Sequence, residues 1–301
     1  GLEVYTVGGL EGITQREGYL DVHPQQLLAA ERRLVLAYAA KTPRKQLAVT
    51  PAEVIPGGQG KPAAWSGLTA IAKEAPGAPR FTIRCGYDNA YLYLQCSHAD
   101  ATPWVNDAED WRMLPASGDY IDMQFSTETG AEPADVTPRA GDRRVIVGPY
   151  KGKTVAVLYE YGPAEAAGGF TVGGTWRKLE FGRVRLIDGV VASVRQTSGG
   201  KAFSVEVALP LSELGLAALE GRSLICDFGI VATGTVQGKA PVRSYWSEQP
   251  ASLFHDLPAG FCFYPCFLGA VEFKPLDPNE AARRRKKSRP PPPKVPEDVD
   301  F

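Results

Sequence analysis

The sequence predicts an all-β protein: a two-sheet antiparallel β-sandwich of the jelly-roll type, with a small N-terminal appendage and an extended C-terminal tail. Strand-like runs recur about every 10–15 residues from Pro79 to Phe273, and clusters of turn residues separate them. Helical patterns are confined to short stretches, so strands do not alternate with helices as they do around a parallel sheet. These features favour a sandwich or jelly roll.

Residues 1–60 are predicted to form the small appendage and a linker. The run LEVYTVGGLEG is typical of a short strand, a Gly-Gly turn and more strand. Residues 23–40, HPQQLLAAERRLVLAYAA, are rich in helix formers, although the second half, RRLVLAYAA, fits a strand equally well. The stretch VTPAEVIPGGQGKP is a turn-rich linker.

Residues 61–274 are predicted to form the sandwich. The run RFTIRCGYDNAYLYLQCSHADA indicates a hairpin, because two alternating runs flank the turn residues GYDNA. In GDYIDMQFST, Tyr120, Asp122 and Gln124 share one face, and Ile121, Met123 and Phe125 share the other. Only PLSELGLAAL is predicted here as a short helix. Further strand candidates are RRVIVGPY, KTVAVLYEY, RVRLIDGVVASVRQT, AFSVEVALP, LICDFGIVATG, PVRSYWSE and FLGAVEF.

Residues 275–301 are predicted to form a flexible tail, because six basic residues between Arg283 and Arg289 precede four consecutive prolines and an acidic end. Like charges repel, and a polyproline run cannot pair in a sheet. Two interpretations stay open. Segment 283–296 is either a docking peptide for an acidic protein partner or a solvated tail.

The composition excludes several classes of function. The net charge is −1, which favours neither nucleic acid nor an anionic membrane as a partner, and no apolar run is long enough for a membrane span. Gly1 stands first without a signal-like segment, so we expect a processed chain or a fragment. The five cysteines show no metal-ligand spacing; they are expected to be buried free thiols, with a Cys85–Cys96 disulfide as the alternative.

Five blocks stand in a fixed order over about residues 80–273. They are RCGYDNAYLYLQCSHADATP, SGDYIDMQFST, FSVEVALPLSELGL, CDFGIVATG and RSYWSEQPASLFHDLPAGFCFYPCFLGAVEF. In this order they resemble the motifs of family 9 carbohydrate-binding modules and of the wider DOMON-like group. The resemblance implies a two-sheet sandwich of the kind attached to secreted enzymes, hence a secreted, periplasmic or cell-surface location.

The resemblance also implies a sugar site with two tryptophan walls and polar side chains that bond hydroxyls. By position, Trp246 matches the tryptophan of the late strand, with Arg243 as its polar companion. The other wall is either Trp104 or Trp111. Two departures stand out: Pro210-Leu211 replaces the proline-tryptophan of the family, and CDFGIVATG lacks the late acidic residue.

These residue types suit a sugar ring. A rigid indole covers the apolar C–H face of a pyranose, and polar side chains satisfy the hydroxyls at its edge. The predicted polar partners besides Arg243 are Asn106, Asp107 and Asp119. The alternative is that each of these tryptophans closes an end of the sandwich. Trp65 and Trp176 are expected to serve core or loop packing.

Catalysis has little support in the sequence. His23, His98 and His255 are isolated, and no nucleophile elbow or phosphate-binding loop occurs. A glycosidase pair would have to come from carboxylates whose separation a sequence does not give. The carboxylates concerned are Asp110, Asp119, Asp122 and Glu206.

No cofactor is expected, and the alternatives are haem b and calcium. Some DOMON-like relatives bind haem b through methionine and histidine or lysine; here Met113 with His98 or His255 would be the ligands, because Met123 is expected to face the core. Calcium could bind the acidic loop NDAED, which lacks EF-hand spacing.

The sequence therefore predicts a non-catalytic carbohydrate-binding module that holds a parent enzyme or assembly near a glycan. The alternative is a structural or interaction subunit that docks through its sandwich and tail and has lost the sugar site. The two differ in one respect: a binding module should leave two indole faces exposed, and a docking subunit should have them packed.

Overall fold

The computed structural model describes residues 24–52, 56, 63–73, 80–99, 103–128, 136–164, 168–173, 177–196, 202–232, 242–250 and 258–275. Its helices are α1 (Pro24–Ala39) and α2 (Ala63–Ser66), with 3₁₀ turns at Trp111–Ala116, Ala259–Phe261 and Pro265–Phe267. Its strands are β1 (Gln46–Val49), β2 (Thr69–Lys73), β3 (Phe81–Tyr87), β4 (Tyr91–His98), β5 (Tyr120–Ser126), β6 (Asp142–Tyr150), β7 (Lys153–Tyr161), β8 (Phe170–Gly173), β9 (Lys178–Leu186), β10 (Val191–Gln196), β11 (Phe203–Pro210), β12 (Ser223–Ala232), β13 (Val242–Tyr245) and β14 (Gly269–Phe273).

The described strands form two sheets, which confirms the predicted all-β sandwich. The large sheet has the order β1-β14-β12-β5-β6-β7-β9-β8, and β13 pairs with β12 beyond the end of β14. The small sheet has the order β10-β11-β4-β3-β2. The predicted hairpin is present as β3 and β4, which pair antiparallel from Phe81–His98 to Tyr87–Leu92.

The first 60 residues differ from the prediction of a separate appendage. Strand β1 lies within them and pairs in parallel with β14, so this stretch is part of the large sheet. Val49 is fully buried in the core between the sheets. Of the two interpretations of RRLVLAYAA the helical one is correct, because α1 runs over Pro24–Ala39, through the stretch that also fits a strand. Residues 1–23 lie outside the described part of the chain.

The core between the sheets is built by alternation along each strand. Ile121, Met123 and Phe125 of β5 face this core, as predicted, opposite side chains of β3, β4 and β11. The outward face of β5 is buried as well, so both faces of the large sheet are covered. A second apolar cluster lies on this outer face and includes Leu114, Tyr120, Tyr159, Phe181, Phe261 and Phe263.

The predicted helix PLSELGLAAL is wrong. Residues 211–215 form hydrogen-bonded turns and residues 216–219 have no regular structure. Leu211, Leu214 and Leu219 are all buried in the core. Gly215 takes a left-handed φ of 65°, and this conformation ends any helical run after one turn.

All five cysteines are free thiols, and four of them are buried. Burial raises the pKa of the Cys85 thiol to about 12, so this side chain stays protonated and unreactive. None of the helices in the described ranges is long and apolar enough to cross a membrane. The tail, including segment 283–296, lies outside the described residues.

Candidate functional site

The structure packs each predicted tryptophan against a different partner. The Trp104 ring lies 4.7 Å from that of Phe203, at the edge of the inter-sheet core. Trp246 is half-buried with its ring 6.3 Å from that of Phe228, and Trp111 packs on the outer-face cluster. Within the described ranges no ring contact joins any two of these tryptophans. Their assignment to a sugar site stays a prediction.

Two of the predicted polar partners brace a loop. The Asn106 side chain donates to the Leu114 carbonyl (3.0 Å) and accepts from the Ala108 amide (3.1 Å). The fully buried Asp119 accepts from the Val105 amide (3.1 Å). These bonds hold the loop before the 3₁₀ turn at Trp111–Ala116. Asp107, by contrast, is exposed.

Arg243 belongs to a buried polar network on the outer face of the large sheet. We call it the outer-face network; its members are Asp122, Gln124, Arg144, Asp227, Arg243, Tyr245, Ser247 and Gln249. The Asp122 carboxylate accepts two bonds from Arg144, at 2.9 and 2.6 Å, and one from the Tyr245 hydroxyl at 2.5 Å. Arg243 in turn donates to the Tyr245 oxygen and to the Cys262 carbonyl, both at 2.8 Å.

Asp227 anchors the other half of this network. Its fully buried carboxylate accepts from the backbone amides of Phe228 and Ser247, both at 2.9 Å, from the Gln249 amide at 2.8 Å, and from the Ser247 hydroxyl. Burial outweighs these four bonds and raises the pKa of Asp227 to about 7. The network thus fixes residues 242–250 onto β12 and β5.

Gly229 makes room for the network. It lies between Asp122 on β5 and Tyr245 on β13, and the tyrosine ring passes over it to reach the carboxylate. A Cβ at this position would overlap that ring.

We expect Gly229→Ala to lower the free energy of unfolding by about 1–3 kcal/mol through overpacking. Urea unfolding measures this. Gly67→Ala is the matched control, because a Cβ at Gly67 meets open space and its backbone is not left-handed. Equal, small losses in both variants would contradict the overlap.

A second polar surface lies on the outer face of the small sheet. It forms a groove of about 390 Å³, which we call the small-sheet groove. Its lining residues are Trp65, Ser66, Arg84, Gln95, Ser97, Arg195, Gln196, Ser204 and Glu206. Antiparallel pairing places Arg84, Gln95 and Glu206 side by side across β3, β4 and β11. The register therefore turns three separate residues into one polar row.

The row alternates donors and acceptors. Arg84 donates to the Gln95 side-chain oxygen at 3.1 Å, and the Gln95 amide lies 3.4 Å from the Glu206 carboxylate. Arg195 lies 3.8 Å from Glu206 at the open side. The Ser204 hydroxyl oxygen is buried and has no hydrogen-bond partner among the described residues. The floor thus offers bonding capacity to a polar ligand.

Trp65 borders the groove. It lies on the short helix α2 and packs against Tyr93 and Ala208. Only 4% of the surface of Trp65 is exposed, so its ring offers a ligand in the groove an edge and not an open face. The expectation that Trp65 serves packing is confirmed; Trp176 lies outside the described residues.

The arrangement of the described residues gives little support to a glycosidase pair, a haem site or a calcium site. Asp122 and Glu206 lie on the outer faces of different sheets, with the core between them. Asp110 pairs with Arg112 at 2.6 Å, and this bond lowers the pKa of Asp110. Met123 faces the core and Met113 packs on the outer-face cluster, while His255 lies outside the described residues. In the described ranges no three His, Cys, Asp or Glu side chains gather as metal ligands.

Comparison with known proteins gives similarities of structure only. No protein family model matches the sequence, and no curated protein matches it. A family 9 carbohydrate-binding module from Caldicellulosiruptor kristjanssonii, solved with cellotriose, has a TM-score of 0.43 and 13% identity, over 78% of this chain and 96% of that one. The glucose complex has a TM-score of 0.41 and 12% identity, over 78% and 98%.

A Bacteroides uniformis protein whose name proposes carbohydrate binding has a TM-score of 0.47 and 13% identity, over 77% of this chain and 100% of that one. Two of these three structures are of family 9 modules, the class that the motif order resembles, and all three TM-scores are below 0.5. The sugars in the two complexes belong to those proteins. No residue of the present site is assigned from them.

Proposed function

We propose that the protein is a non-catalytic carbohydrate-binding module and that the small-sheet groove is its sugar site. The observation that carries this proposal is the polar row on an open, rigid sheet face, with the Ser204 hydroxyl left without a partner. Vicinal hydroxyls of a sugar both donate and accept, and the row offers donors on Arg84, acceptors on Glu206 and both on the Gln95 amide. A groove of about 390 Å³ is within the usual range for small-ligand sites.

On this proposal the module holds a larger enzyme or assembly near a glycan, outside the cytoplasm. The buried thiols are compatible with an oxidising compartment, because their burial keeps them unreactive. The alternative, a structural or interaction subunit without a sugar site, is favoured by the packing of Trp104, Trp111 and Trp246. The experiment below separates the two.

Isothermal titration with a panel of soluble oligosaccharides tests the proposal. We expect one sugar class to bind, and Glu206→Gln and Ser204→Ala each to weaken binding about tenfold, the loss expected for a hydrogen bond to a charged or buried group. Glu180→Gln on exposed strand β9 is the matched control and should bind as the wild type does. Circular dichroism confirms that each variant is folded.

Two results would count against this site. Binding that survives both groove variants but disappears in Trp246→Ala would move the sugar to the site predicted from the sequence. A panel without any binding sugar would favour the interaction subunit.

A further inference from the structure

The small-sheet groove runs across the strands of the small sheet. Its floor contains the polar row of Arg84, Gln95 and Glu206, which crosses β3, β4 and β11. A second row lies beside the first, two residues away along the strands that they share. Its members on β4, β11 and β10 are Ser97, Ser204 and Arg195. Because side chains two residues apart in a strand point to the same face, the two rows form one polar floor.

Helix α2 borders this floor on one long side. Its Trp65 packs on Tyr93 and Ala208, which pair with each other on β4 and β11 and lie two residues from the first row. The helix therefore stands beside the rows, and the axis of the groove follows them. A ligand that lies along this axis meets β3, β4, β11 and β10 in turn.

Both ends of the floor are exposed in the part of the chain that the structure describes. At the β2 end the outward positions are Ala70 and Ala72, which are small and exposed. At the β10 end the Arg195 side chain is 53% exposed. Among the described residues, no large side chain thus stops a ligand from extending past either end of the floor.

The floor is longer than one sugar ring. Neighbouring strands lie about 4.8 Å apart, so the three steps from β3 to β10 give a length of about 14 Å, room for about three pyranose rings in line. Bonding groups recur along this length: Arg84 donates, Glu206 accepts, and the Ser204 hydroxyl can do both. A linear glycan likewise presents hydroxyls on each successive ring.

We propose, on the basis of the sugar site proposed above, that the groove binds an inner segment of a linear glycan chain, and not a single sugar or a chain end. The chain lies along the two rows, and its neighbouring rings contact successive strands. It leaves the groove over Ala70 and Ala72 on one side and past Arg195 on the other. The substrate class is therefore a polysaccharide and not a free monosaccharide.

Isothermal titration of the full chain with sugar ladders tests the length of the ligand. The probes are linear β-1,4 oligomers of glucose, mannose and xylose and α-1,4 oligomers of glucose, from one to six residues. In the class that binds, we expect the trisaccharide to bind at least about tenfold more tightly than the monosaccharide, because added rings make added hydrogen bonds. From four to six residues the affinity should be level. Reducing the terminal ring of the hexasaccharide to the open alditol should leave its affinity unchanged.

Variants at the β2 end test the path of the chain. Leucine at both Ala70 and Ala72 raises the floor at this end without adding an aromatic face. We expect this double variant to bind the hexasaccharide about fivefold more weakly and the monosaccharide as the wild type does. Ala48→Leu is the matched control, since Ala48 is an exposed position on β1, the edge strand of the other sheet. Thermal unfolding shows whether each variant stays folded.

The possible failures are distinguishable. Binding of no oligomer would overturn the proposed function and the chain site together. Equal affinities for the monosaccharide and the trisaccharide would overturn the chain site and leave a single-sugar site standing. Loss of hexasaccharide binding after reduction would assign the groove to a chain end. An unchanged hexasaccharide affinity in the double leucine variant would also contradict the proposed path.

Discussion

Replacing Arg144 with methionine should lower the free energy of unfolding by about 3–5 kcal/mol, because the substitution leaves a buried carboxylate without its cation. Arg144 and Asp122 are both fully buried and form a bidentate pair. Gln124 and Tyr245 would still donate to Asp122, but neither carries a charge. Urea unfolding measures the loss, which is a large part of the stability of an ordinary domain.

Arg112→Met is the matched control for this variant. Arg112 forms a similar pair with Asp110, but about two fifths of each side chain is exposed, at 43% and 36%. Exposed pairs contribute about 0–1 kcal/mol, so this variant should be nearly as stable as the wild type. Similar losses in the two variants would contradict the importance of burial.

The second large effect concerns pH and Asp227. The carboxyl has a pKa of about 7 when folded, against an ordinary value of 3.8. Between pH 3.8 and about pH 7, the Asp227 carboxyl is protonated in the folded protein and ionised in the unfolded protein. The stability that this group contributes is therefore complete below pH 3.8 and is lost as the pH rises to about 7. The slope is at most about 1.4 kcal/mol per pH unit.

Asp227→Asn removes this titration and keeps the shape of the side chain. The free energy of unfolding of the wild type, minus that of the variant, should fall by about 1 kcal/mol per unit from pH 5 to pH 7 and then stay level. Carbon-13 NMR of the carboxyl groups should show one midpoint near pH 7, absent from the variant. A constant difference between the two proteins, with no such midpoint, would show that Asp227 is ionised throughout.

Local signals made much of the fold predictable. The β3–β4 hairpin follows from turn residues between two alternating runs, and the two faces of β5 follow from its period of two. The pairing of β1 was not predictable, because a four-residue strand carries little pattern and its partner is far away in the chain. The helix predicted for PLSELGLAAL fails because Gly215, with its left-handed φ of 65°, ends the helical run after one turn.

The candidate sites were less predictable than the fold, because they depend on contacts between distant parts of the chain. Asp122 and Gln124 have the pattern of a solvent-facing strand surface. Residues in 242–250 and 258–268 lie over that surface and make it an interior. Arg84, Gln95 and Glu206 are ordinary polar positions on three strands. Their alignment depends on register, which a sequence specifies only through turns and through the apolar pattern on the opposite face.

The parallel pairing of β1 with β14 has a consequence for how the protein is made. Arg44, just before β1, bonds the Leu268 carbonyl across 224 positions of the chain. During synthesis the edge formed by β1 waits for nearly the whole sandwich to leave the ribosome, while the β3–β4 and β6–β7 hairpins can form early. Closure of the large sheet is thus a late event in folding, because β1 leaves the ribosome long before its partner β14.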